Sequence, residues 1–165
     1  MGEREVLQGI AELLAPGEGE VAARVLLAYD NPEAYVREHE ERLERRGIDE
    51  PIDELAWIAL VDALADHRLL GEIDWKEAPE EIRATLDALA TSPQNPWAWH
   101  DPEEDFPTFD FLERAGAESY AAGTALAVLD IESDCYPLVY LPAARAGELV
   151  ELATGAGYRA EIFGR

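Results

Sequence analysis

Eleven consecutive residues, Leu55-Ala56-Trp57-Ile58-Ala59-Leu60-Val61-Asp62-Ala63-Leu64-Ala65, set the terms for the rest of the chain. Trp57, Leu60, Val61 and Leu64 fall at i, i+3, i+4 and i+7 and share one helical face, while Leu55, Ile58 and Ala59 cover much of the remainder. The only charge is Asp62. A helix apolar on most sides is buried by its neighbours rather than laid on a surface. The run is also far short of the ~20 residues that cross a bilayer. It predicts the central helix of a soluble core, over about 52–68. Asp49, Glu50, Asp53 and Glu54 complement the dipole at its start, and His67, Arg68 and a closing Gly71 stand at its end. Such a helix organises a fold and carries no chemistry.

The segments before it read as helices too. Val6, Leu7, Ile10, Leu13 and Leu14 form a stripe over 3–14, stopped by Pro16-Gly17. A second helix covers 19–29. Asn31 caps a third, with Pro32 at its first position, and this one runs to about Arg46. Its pairs Glu33–Arg37, Glu38–Arg42 and Glu41–Arg45 predict an exposed helix laced by i,i+4 ion pairs, with Val36, His39 and Leu43 as a thin apolar stripe.

After the central helix the pattern changes. Residues 72–75 alternate like a short strand, and Pro79 opens a helix whose Ile82, Leu86 and Leu89 face inward. Residues 91–107 hold four of the ten prolines and no periodicity, which predicts a long loop. Thr108 is placed to cap a helix over 109–122 with Phe109, Leu112 and Tyr120 inward. Residues 124–131 and 136–141 are strand-like and joined so briefly that they should pair as an antiparallel hairpin, with Pro137 at an edge or a strand start. A helix over 142–154 and a last strand over 158–163 complete the chain. The fold class is therefore α+β. One domain over 1–165 is expected: a helical part (1–90), the loop (91–107) and an α-β-β-α-β layer (108–165) on which the helical half packs.

Charge narrows the functional classes. Lys plus Arg number 13 and Asp plus Glu 36, for a net charge of −23. That balance disfavours phosphate backbones and anionic membranes as direct partners and favours basic proteins or cations. Cys135 is the only cysteine, so no intrachain disulfide forms, and with no signal-like start a cytoplasmic location is expected. No Gly-x-Ser-x-Gly, phosphate-binding loop, Cys-x-x-Cys or His-Glu-x-x-His occurs, and no cofactor is expected.

Two stretches are candidates for function. In the long loop, Trp97, Trp99 and His100 precede Asp101, Glu103, Glu104 and Asp105. Aromatic anchors beside charges are typical of interfaces, which makes these seven residues a partner-binding candidate. The competing reading is that both tryptophans fold back and seal the core beneath the loop. His100 beside Asp101 does not form an obvious catalytic pair, because adjacent residues rarely point at one another and no nucleophile is evident. The second candidate is Asp130, Glu132 and Asp134, which share a face if the strand continues through them and could then bind Mg²⁺ or Ca²⁺. They lack the calcium-loop pattern, and acids at a hairpin turn commonly serve turn geometry and solvation. The acids of both stretches lie in the zone 101–134, where ten acids face Arg114 alone.

The stretch Leu69-Leu70-Gly71-Glu72-Ile73-Asp74-Trp75-Lys76-Glu77, preceded by Asp62-Ala63-Leu64, resembles a signature of a bacterial family of uncharacterised proteins classed as a domain of unknown function. Leu129-Asp130-Ile131-Glu132-Ser133-Asp134-Cys135-Tyr136 resembles its second signature. The resemblance implies an intracellular bacterial protein and brings no activity with it. The expectation from residues and charge together is a non-enzymatic interaction module that binds a basic partner, in the manner of an immunity protein or inhibitor, or that associates with itself. The alternative is a carboxylate metal-binding protein or small metal-dependent hydrolase.

Overall fold

The computed structural model describes residues 2–165. Helices α1 (Glu3–Leu14) and α2 (Gly19–Asp30) follow the predicted stripes and pack on each other. Asn31 caps α3 (Pro32–Glu38) through its side chain, which accepts the Ala34 N–H at 3.2 Å. The expected third helix does not run on to Arg46. It breaks at His39 and resumes as α4 (Glu40–Glu44). The buried residues of this segment are Tyr35 and Leu43, with Val36 and His39 only partly covered. The break re-aims the next turn, so that Arg42 and Arg46 reach acids of the central helix instead of pairing along their own. None of the three expected i,i+4 pairs forms among the described residues.

The apolar run forms α5 (Leu55–Asp66), with ten of its twelve residues buried, Asp62 included. It stops earlier than expected, and not at Gly71. Arg68 adopts φ 60°, the Leu69 N–H returns to the Leu64 carbonyl at 2.8 Å and the Arg68 N–H to Ala65 at 3.1 Å. This is a Schellman stop with arginine at the left-handed position that glycine usually fills. Gly71 instead lies within strand β1 (Leu70–Asp74).

Helix α6 (Pro79–Asp87), the loop and α7 (Thr108–Ala121) come next. Thr108 does not cap α7; its hydroxyl donates to the Glu77 carbonyl at 2.8 Å. Phe109 points outward, 52% exposed, because Phe111, Leu112, Ala115 and Ser119 hold the inner face. Strands β2 (Thr124–Asp130) and β3 (Cys135–Pro142) pair antiparallel as expected. A 3-10 turn (Ala143–Arg145), α8 (Ala146–Gly155) and β4 (Arg159–Ile162) end the fold.

The sheet order is β1-β3-β2-β4, antiparallel throughout. Strand β3 is therefore central. Pro137 is accommodated near the start of β3, because pairing with β2 ends at Leu138, one residue short of it. Alternation sorts the side chains into two cores. Leu70, Ala125, Ala127, Leu129, Val139, Leu141 and Ala160 face the core built with α1, α2, α5 and α8. Ile73, Leu126, Val128, Leu138 and Tyr140 face the other, built with α6, α7 and the loop. Helices thus cover both faces of one sheet, in an α+β fold with a helical N-terminal half. The chain end is clamped where Gly116 of α7 meets Phe163: a Cβ at Gly116 would run into the Phe163 carbonyl. No helix among the described residues is long and apolar enough to cross a membrane.

Candidate functional site

The long loop turns its aromatic residues inward. Trp97 is 7% exposed, its indole N–H donates to Asp87 at 2.7 Å, and its ring lies 5.6 Å from Phe111. Trp99 is partly buried, donates to the Pro96 carbonyl at 2.9 Å and carries the Arg114 guanidinium at 5.1 Å from its ring. His100 is buried edge-on against Phe111, and its Nδ1 lies 3.2 Å from Arg83 Nη1. A guanidinium only donates, so Nδ1 is the acceptor in this contact. Asp101 does not orient this ring; its carboxylate accepts the Glu103 N–H at 3.0 Å. Of the seven residues singled out, Asp101, Glu103, Glu104 and Asp105 are exposed, and the two indoles have the geometry of a seal over the second core.

The hairpin acids do not share a continued strand face. Strand β2 ends at Asp130, whose carboxylate accepts the Glu132 N–H at 2.7 Å, and Glu132 takes φ 56°. Asp130 also has the Arg159 guanidinium at 3.9 Å. These are the side-chain bonds of a tight turn. Among the described residues no group of three His, Cys, Asp or Glu side chains could hold a metal ion, Asp130, Glu132 and Asp134 included.

The most elaborate polar arrangement lies elsewhere. Asp62, fully buried on α5, takes Arg46 at 2.7 Å and Arg42 at 3.6 Å. Arg42 also reaches Asp66 at 3.3 Å, Asp66 takes Arg24 at 2.7 Å, and Arg46 bonds Glu72 of β1. One chain of ion pairs therefore ties α2, α4, α5 and β1. A buried carboxylate persists only when such partners surround it. The sequence carries the signal in two matching i,i+4 spacings, Asp62/Asp66 on one face of α5 and Arg42/Arg46 in and just after α4.

Arg46 and Glu72 also form part of the wall of a cleft of ≈ 770 Å³ between the helical half and the hairpin end of the sheet. Its floor is the Trp57 indole stacked on Tyr158, with centroids 4.7 Å apart and planes at 7°. The Trp57 N–H donates to the Asp130 carbonyl at 2.9 Å, which locks the hairpin to α5. Burial, with Glu3 and Glu54 nearby, pushes the Tyr158 phenol up to about 12, so it stays neutral. Burial also pushes the Cys135 thiol up, with Glu72 and Asp74 adding to the effect, which leaves it a poor nucleophile. The cleft offers shape, apolar surface and charge, but no nucleophile paired with a base. Of its residues only Asp130 and Glu132 stand among the candidate site residues read from the sequence, because the cleft is assembled from five separate segments.

No curated protein and no solved structure matches this chain. A family model described as a domain of unknown function (DUF6630) matches residues 7–163, nearly the whole length. The chain belongs to that family of uncharacterised proteins.

Proposed function

We propose that the protein is a non-enzymatic binding module for a basic protein partner. The observation that carries the reading is the disposition of charge. The net charge is −23, and the acids of the 101–105 loop stand in solvent over a rigid aromatic seal. A field of one sign attracts a basic partner and raises its association rate. Inhibitor-like or immunity-like capping of a basic enzyme is the natural form of such a role. A bacterial cytoplasm fits it, with one cysteine in the chain and one lysine beside the arginines.

The reading is tested by retention from native cytosol at low and high salt. Wild type is compared with an Asp101→Asn/Glu103→Gln/Glu104→Gln/Asp105→Asn variant. The expected result is a basic protein held by wild type at low salt, released at high salt, and held more weakly by the variant. Retention of nothing basic would end this reading.

A further inference from the structure

We propose that the cleft between α5 and the hairpin end of the sheet is the anchor pocket for a lysine or arginine side chain of that partner. The aliphatic stem lies on Ile48, Ile52, Ile58 and Ile131, and the cation meets Glu54 and Glu132. The inference rests on the binding reading above and gives it a site.

Size comes first. A volume of ≈ 770 Å³ is within the ~300–1,000 Å³ typical of ligand pockets and exceeds what one side chain fills, so neighbouring residues of the partner enter as well. The walls are amphipathic in the sense a long basic side chain needs: an apolar channel for the methylenes and carboxylates for the head. Ile52 is 38% exposed, and Ile48 and Ile131 are only partly covered. These apolar side chains line the cleft together with the stacked Trp57 and Tyr158 rings.

The sign of the ligand follows from which charges are already engaged. Three arginines and four acids line the cleft. Arg46 is committed to Asp62 and Glu72. Arg159 lies beside Asp130. Glu54 and Glu132 have no ion-pair partner among the described residues, and both are exposed. Arg45 is the one cation of the cleft without an ion pair among the described residues, and it also lines a neighbouring depression with Arg37, Glu38, Glu40, Glu41 and Arg42. The local balance, three arginines against four acids, is therefore negative within a molecule of −23, and an anion would meet Arg45 only against the unpaired Glu54 and Glu132. A cation finds two unpaired carboxylates, Glu54 and Glu132, in a lining that also holds four isoleucines.

The test uses isotope-labelled isoleucine methyls and three capped tripeptides, acetyl-Gly-Arg-Gly-amide, its norleucine analogue and its glutamate analogue. The arginine peptide is expected to shift the methyls of Ile48, Ile52, Ile58 and Ile131 saturably, at ~1–10 mM as befits so small a ligand. Glu54→Gln/Glu132→Gln should weaken it about fivefold, the worth of two exposed ion pairs. Ile52→Arg, which fills the mouth from an already exposed position, should abolish the shifts while the remaining spectrum stays that of the folded protein. Shifts that saturate equally with the glutamate peptide, or that survive both variants, overturn the assignment. Partner retention separates the two claims. A basic partner held by wild type and lost by Ile52→Arg supports the pocket. One held equally by both overturns the pocket and leaves the binding reading standing. Saturable peptide binding with no partner retained supports the pocket and removes that reading.

Discussion

Asp62 shows how one residue shapes its surroundings. It is the lone charge of the apolar run Leu55–Ala65, and two arginines converge on it. Leaving those arginines without their acid is costly: loss of one partner of a buried pair removes ~3–5 kcal/mol. Asp62→Ala is therefore expected to lower unfolding stability by about 3 kcal/mol in urea titration. A change under 1 kcal/mol would mean that the network is ornamental. His39 supplies a pH signature. Burial, with Arg24 adding to it, holds its imidazole below the usual 6.5. A depressed folded value means that the folded state prefers the neutral ring. That contribution is complete above about pH 6.5 and is lost as pH falls toward the folded value. His39→Gln should flatten this part of the stability profile in thermal melts from pH 8 to pH 5. An unchanged profile would assign the slope to other groups.

The elements differ in how far the local sequence specifies them. The central helix, the hairpin and the flanking stripes were legible, since each depends on local periodicity and turn residues. Two helix ends were not. Arg68 closes α5 from a left-handed conformation favoured for glycine, and Gly71 lies in β1. His39 breaks a helix that propensity alone would continue, because Arg42 and Arg46 gain buried acids across the fold. The cleft was illegible for a similar reason: its segments are distant in sequence. In the loop 91–107 the sequence admits both an interface and, with somewhat more weight, a seal, and the Trp97 indole lies against Phe111 and Asp87 as a seal requires. Trp97→Ala should accordingly cost ~3–5 kcal/mol of stability, a core-truncation value. A stability within 0.5 kcal/mol of wild type would show that the loop is no seal. Gly116→Ala tests the chain-end clamp: with backbone in the way, a loss above ~2 kcal/mol is expected in the same assay. A neutral effect would mean that the tail moves aside.

At the scale of the whole molecule, charge is the dominant fact. A balance of −23 on 165 residues repels itself, so screening should stabilise the free protein. Its melting temperature is expected to rise between about 20 mM and 500 mM NaCl. A fall would place the stabilising ion network above the global repulsion. The same field is what a basic partner meets first, before any pocket is filled. The most direct measurement of the binding account is the association rate of the captured partner against ionic strength. The account predicts a rate that drops at least tenfold from about 50 mM to 500 mM NaCl while dissociation changes little. A rate independent of salt, or one that rises with it, would contradict the account.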